Sequence, residues 1–267
     1  MCYDVETQLR RKIKEADHKG ESSKEIDFLK KKLDKFISSY GVSALEATEH
    51  YWTMGFQHQK IPVIANDLPS DIQFFHWGLI PSWSKDEEAA RIIAGKCLNS
   101  RSETMFDKPA FRSAAKEKRC IIPLSGYYEH YWLDKSGKKK VPYYITRNDS
   151  KPLYMAGLWE EWINKETGEV VKTCTIITTK ANGKLSEVHN RNPLDPRMLV
   201  ILDFDDIANW LSPIESNNDI ELLQSMCIPY PDDTLAIYPV AQLRGKNGVG
   251  DVPEASQPFE YNFIGMP

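Results

Sequence analysis

Cys120–Trp132 reads CIIPLSGYYEHYW. Isoleucine and aromatic side chains dominate it, the types that fit a pleated, half-buried backbone, and they predict strand. Segments of the same texture recur on both sides: FFHWGLIPSW (Phe74–Trp83), VPYYIT (Val141–Thr146), LYMAGLWEEW (Leu153–Trp162), KTCTIITT (Lys172–Thr179), MLVIL (Met198–Leu202) and LAIYPV (Leu235–Val240). Helices are expected between them at about 84–95, 108–116, 203–211 and 216–225. Such a mixture implies an α+β fold with a mainly antiparallel, barrel-like β core flanked by helices. Residues 4–40 differ in texture. Ile26, Leu29, Leu33 and Phe36 recur at helical spacing behind a capping-box signature, Ser22 with Glu25, and an earlier charged segment carries Leu9 and Ile13. Gly20 separates the two, and Gly41 suits a helix stop. A helical hairpin over residues 4–40 is therefore expected as an insertion in one domain of residues 1–267, because no linker divides the β-rich part.

At 267 residues, 41% of them hydrophobic, the chain can bury a sizeable core. It has no run of about twenty apolar residues, and its start lacks the apolar stretch of a signal peptide, so a cytoplasmic protein without membrane contact is expected. The five cysteines (Cys2, Cys97, Cys120, Cys174, Cys227) are odd in number and lack Cys-x-x-Cys spacing. Neither a disulfide framework nor a metal site is predicted, and a reducing compartment fits. Net charge is −4, but unevenly spread: from Lys96 to Lys151 thirteen Lys and Arg face six Asp and Glu, whereas from Asp195 onward three face twelve. A basic central third permits a local polyanion site within an acidic chain. The run KSGKKK (Lys135–Lys140) by itself reads as a solvated hairpin tip.

Four stretches hold chemistry-bearing residues. Cys2 follows Met1, so removal of the methionine would leave a thiol and a free α-amine on one residue, the amine with an ordinary pKa near ~8; otherwise Cys2 is an unremarked terminal residue. CLNSRSETM (Cys97–Met105) gathers Asn99, Arg101, Glu103 and Thr104, groups able to hold an amine, a thiol or a phosphate, or simply to start a helix. In SGYYEH (Ser125–His130), burying Glu129 as a carboxylate is costly unless it is paired, and burial favours proton exchange near neutrality; strand alternation would instead put it in solvent. The aromatics Tyr127, Tyr128, Tyr131 and Trp132 could stack on unpaired bases or fill the core. His189, in the loop of TTKANGKLSEVHNRNPLDPRMLVIL (Thr178–Leu202), has the right chemistry for an acid or base and equally suits a surface position.

Singly ambiguous, these pieces are distinctive in order. Cys2, WGLIPSW (Trp77–Trp83), NSRSET (Asn99–Thr104), GYYE (Gly126–Glu129), the Thr178–Leu202 stretch and YPV (Tyr238–Val240) together resemble the SRAP family, the SOS-response-associated peptidases, over about residues 70 to 245 plus the terminal cysteine. The resemblance implies covalent capture of abasic sites in single-stranded DNA, shielding the lesion during replication. In that chemistry the opened deoxyribose offers an aldehyde, the Cys2 amine forms a Schiff base, and the thiol closes a five-membered thiazolidine. The resemblance further implies that Asn99 orients Cys2, that Glu129 assists ring opening and proton transfer, and that His189 moves protons at the sugar oxygen. Arg101 matches a phosphate contact, with Trp77, Trp83 and Tyr128 expected against the DNA. No cofactor, metal or obligate protein partner is implied; the expectation is a monomer that joins the nucleoid when bound to damaged DNA.

The chain also departs from the family pattern. Tyr3 and Asp4 follow Cys2 where Gly-Arg is usual, which sets an acid where a DNA-facing cation is common. HYWTMGFQHQKIPVI (His50–Ile64) replaces an Asn-x-Ala-Pro stretch, Leu199 replaces a proline, Tyr238 stands where His is common, and NRNPLDP (Asn190–Pro196) lengthens the loop after His189. Three rival functions use the same residues: an N-terminal-nucleophile peptidase or amidohydrolase acting on itself or a peptide, a DNA-binding module that forms no bond, and a redox sensor at Cys2.

Overall fold

The computed structural model describes residues 2–20 and 23–262. In it Cys120–Trp132 forms two strands rather than one. β6 (Arg119–Leu124) belongs to a barrel, the chain turns at Ser125, and β7 (Gly126–Trp132) enters a second sheet. The barrel closes as a ring of five strands: β3 (Lys60–Ala65), β4 (Gln73–Trp77), β10 (Val170–Lys180), β9 (Leu153–Ile163) and β6, each paired with the next and β6 again with β3. Only the β4–β10 contact in the ring is parallel. β5 (Asn99–Arg101) and β11 (Arg197–Leu199) extend the ring beside β10, and β12 (Ile201–Leu202) does so beside β9. The second sheet is antiparallel throughout, in the order β13 (Leu235–Pro239), β8 (Lys140–Arg147), β7, β1 (Asp4–Glu6), β2 (Thr53–Met54).

Both faces of the ring strands are covered, which is why they read as near-continuous apolar runs. Along β9, Leu153, Met155 and Trp159 point into a core shared with the second sheet, while Tyr154, Ala156 and Leu158 point toward the helices. Each fully buried Leu, Ile or Val on these strands contributes about 1.5–3 kcal/mol. Gly126 is where β7 leaves the barrel: a Cβ there would lie 2.3 Å from the Tyr144 ring, so only glycine lets the neighbouring strand approach. Thr146 Oγ1 donates to the Ser125 carbonyl at 2.9 Å and holds the corner.

The N-terminal helices are α1 (Leu9–His18), α2 (Lys24–Tyr40) and α3 (Val42–Glu46). The predicted stripe of Ile26, Leu29 and Leu33 is buried, with Phe36 packed beside it. Gly41 ends α2 at φ 85°, a conformation that favours glycine. Two details differ from expectation. Residues 4–6 belong to β1 rather than to the hairpin, because their backbone groups are taken by β2 and β7. Ser23 is the cap, accepting from the Ile26 amide at 3.4 Å; Ser22 lies outside the described residues, and Glu25 pairs with Arg147 at 3.0 Å instead of completing a capping box.

The remaining helices are α4 (Glu87–Lys96), capped by Asp86, α5 (Arg112–Glu117), α6 (Gly183–Val188), capped by Asn182, α7 (Ile207–Leu211) and α8 (Asn217–Ser225). Strand in Phe74–Trp83 stops at Trp77, where Gly78 at φ 122° diverts the chain. No helix among the described residues is long and apolar enough to cross a membrane.

Candidate functional site

β1 lies antiparallel between β2 and β7, with Asp4 opposite Tyr128 and Val5 opposite Tyr127, so Tyr3 and Cys2, the two residues before it, lead along the β7 segment that carries Glu129. Cys2 is only 3% exposed. Its thiol donates to the carbonyls of Asp4 at 3.3 Å and Tyr128 at 3.5 Å. From the barrel side, Asn99 at the start of β5 donates Nδ2–H to the Cys2 carbonyl at 2.7 Å. That bond ties the two sheets together at the cysteine. Asn99 Oδ1 is buried and has no partner among the described residues, and the same holds for the Tyr127 hydroxyl.

Glu129 is buried, and its Oε1 accepts the His130 amide at 2.9 Å. Its charge acts on the Cys2 thiol, on Tyr127 and on His189, which marks the four as neighbours. Burial pushes the Cys2 thiol well up, and the Glu129 charge adds to it. The same buried setting holds His189 below its ordinary value, so its imidazole is neutral at pH 7. His189 caps α6, and its Nδ1 accepts the Arg197 backbone N–H at 2.8 Å. A neutral imidazole whose Nδ1 is an acceptor carries its proton on Nε2. His189 is therefore a hydrogen-bond donor at Nε2.

Arg197 holds this arrangement. Buried at 3% exposure, its guanidinium donates to both Glu103 oxygens at 2.6 and 2.8 Å and to the Thr178 carbonyl at 2.8 Å. The pairing draws the Glu103 carboxyl below its usual range. Asn190 then grips Trp132, its side chain accepting the Trp132 amide at 2.7 Å and donating to its carbonyl at 2.8 Å. At the far end of the loop after His189, Asp195 pairs with Arg101 at 2.8 Å. The loop is thus anchored on β7 at one end and beside β5 at the other.

Cys2, Asn99, Glu129 and His189 thus meet at the seam between barrel and second sheet. Arg101 lies at the rim, about half exposed, in a cleft that also holds Trp83, Thr104 and Lys108. Trp83 is 59% exposed and can meet a base. Trp77 and Tyr128 cannot. Each is fully buried, Trp77 donating from its indole to the Leu98 carbonyl at 2.8 Å and Tyr128 from its hydroxyl to the Tyr51 carbonyl at 2.6 Å, so neither offers a face to DNA. Asp4 also departs from expectation: it is 1% exposed and turned inward, accepting from the Trp52 indole at 2.9 Å, and does not face DNA. Part of the basic central segment is likewise structural, since Arg119 is wholly buried and spent on backbone carbonyls of Ala115, Lys116, Trp210 and Ser212. The positioning roles of Arg197, Glu103 and Asn190 were not predicted; the Arg-Met and Glu-Thr pairs around them were the available signal.

A closed barrel thus meets a second sheet at a cysteine near the chain start, and asparagine, glutamate and histidine converge on it. The chain belongs to the SOS response associated peptidase (SRAP) family, whose model matches residues 22–246. It is 40% identical over 186 residues to the abasic site processing protein YoqW of Bacillus subtilis, covering 69% of this chain and 76% of that one. It is 32% identical over 212 residues to the abasic site processing protein HMCES of Gallus gallus, covering 72% of this chain and 57% of that longer protein. A solved structure from Bacteroides thetaiotaomicron matches with a TM-score of 0.75 and 29% identity, over 97% of this chain and all of that one.

Proposed function

We propose that this chain captures abasic sites in single-stranded DNA by a covalent bond through Cys2; its relatives YoqW and HMCES are named abasic site processing proteins. The observation that carries the reading is the 2.7 Å bond from Asn99 to the Cys2 carbonyl, which fixes the cysteine backbone beside Glu129 and His189. Asn99 Oδ1, buried and without a partner among the described residues, would be an acceptor for the amine freed by removal of Met1. An amine N–H donated there would leave the nitrogen lone pair oriented for attack.

The steps follow from the groups present. Abasic deoxyribose exists mostly as a closed hemiacetal. As the ring opens, Glu129 takes the proton of the C1′ hydroxyl and the Nε2–H of His189 supports the departing ring oxygen. The amine adds to the aldehyde carbon, and loss of one water gives the imine. Because the thiol is buried and its pKa raised, it is protonated when the amine attacks, so nitrogen adds first. Sulfur then adds to the imine carbon, the thiol proton ends on nitrogen, and the thiazolidine closes. The balance is one aldehyde, one amine and one thiol giving one ring and one water. Arg101, Lys108 and Trp83 supply phosphate and base contacts at the rim.

The test mixes Met1-free protein with single-stranded DNA bearing one abasic site and resolves the products on a denaturing gel. A band stable to heat and detergent, present for wild type and absent for Cys2→Ala and for lesion-free DNA, is the expected result. Absence of that band with folded, Met1-free protein overturns the reading; turnover of a peptide or amide by the same protein would then establish the N-terminal-nucleophile hydrolase.

A further inference from the structure

Three cations outside the Arg101 cleft gather near the end of β7. Lys140 opens β8 directly across from Trp132, the last residue of β7. Arg191, exposed on the loop after His189, lies over the Trp132 ring with its guanidinium carbon 5.1 Å from the ring centre. Arg244, also exposed, reaches toward Asp4 at 3.6 Å. These come from three separate segments, and the fold fixes each pairwise. Asn190 clamps the loop to Trp132 through two hydrogen bonds. Gln242 Nε2 donates to the Lys140 carbonyl at 2.6 Å and draws the Arg244 segment to the hairpin base.

The anions around the cluster are otherwise engaged. Asp4 is buried against Trp52, Glu129 belongs to the catalytic seam, and Asp134 is turned into the hairpin, accepting from Ser136 and from the Lys139 amide. Among the described residues Lys140 and Arg191 form no ion pair. Arg244 and Arg191 also crowd Lys140 enough to join burial in lowering the pKa of its ammonium, against the opposing pull of Asp4 and Glu129. Like charges held together by these ties, with the long 3.6 Å pairing of Arg244 to buried Asp4 as their sole ion pair among the described residues, leave positive charge in excess and make a site for an external polyanion.

We infer that Lys140, Arg191 and Arg244 form a second phosphate-binding bank, so that a single nucleic-acid strand crosses the Cys2 site between this bank and the Arg101–Lys108 cleft. The lysine run Lys135–Lys140 then continues the bank along the hairpin. This assignment rests on the single-strand reading above and adds the path of the strand. It requires no base recognition, since phosphates carry no sequence.

The experiment measures reversible binding of lesion-free single-stranded DNA by fluorescence anisotropy across about 50 to 200 mM salt, where each phosphate contact contributes a log–log slope of about −0.7. Lys140→Gln/Arg191→Gln is compared with wild type and with the charge-conserving Lys140→Arg/Arg191→Lys. The expected result is a slope shallower by about 1.4 for the glutamine pair, with weaker binding at low salt, and a near-wild-type slope for the charge-conserving pair. Parallel lines for all three proteins would overturn the assignment. So would an equal loss in both variants, which would mark the two residues as structural. Because the readout is reversible and uses no lesion, it stands apart from the covalent test: failure of capture at Cys2 leaves it intact, and failure of the bank leaves capture intact.

Discussion

His189 carries the sharpest mechanistic statement at the scale of single residues. Its Nδ1 is occupied by the Arg197 amide, so Nε2 can donate but not accept while the ring is neutral. A donor role predicts that His189→Gln, which retains an N–H near the same place, keeps capture within about tenfold of wild type, whereas His189→Ala loses about 10²-fold or more. Single-turnover rates of adduct formation decide it, and equal losses in the two variants would point to a base instead. The four central residues were legible in the sequence because each sits in a short motif whose order is distinctive. The aromatics were not. Trp77 and Tyr128 look like surface candidates in a list of strand residues, but both faces of their strands are covered by other elements, and alternation alone does not reveal that.

Among elements, β1 matters most and was least visible. Three residues long, its DVE sequence has little strand propensity; it is extended because β2 and β7 satisfy its backbone on both sides. The helical segment that follows it acts as its clamp. Arg11 of α1 reaches back to the fully buried Glu6 carboxylate, which also accepts the Tyr144 hydroxyl from β8. Thr7 and His50 then close the return of the chain, with the Thr7 amide donating to the His50 carbonyl at 2.8 Å. Arg11→Met should therefore leave an uncompensated buried carboxylate and cost about 3–5 kcal/mol in a denaturant titration, and Glu6→Gln added to it should recover much of the loss. A double variant no more stable than the single would show that Glu6 does not depend on Arg11. Long elements with strong texture, β8, β9 and β10 above all, were readable from composition. The division of Cys120–Trp132 between two sheets was not, because Ser125 and Gly126 mark a corner only in the presence of the Tyr144 ring that packs against it.

In the molecule as a whole, Cys2 lies where barrel and second sheet meet, and Asn99 makes the hydrogen bond across that seam. This position explains how a residue close to the chain start can be held in place: it is continuous with a strand of one sheet and tethered by the other. Under the proposed reading it also gives an acidic protein a local route to DNA, through the Arg101–Lys108 cleft and the Lys140 cluster, while much of the acidic excess lies from Asp195 onward. The most direct measurement of the central claim is the intact mass of the protein–DNA adduct, followed by mapping of the modified peptide. The account predicts protein lacking Met1, joined to the abasic strand with loss of one water, with both bonds on Cys2. Adduct found on a lysine side chain, or formed by protein that retains Met1, would contradict it.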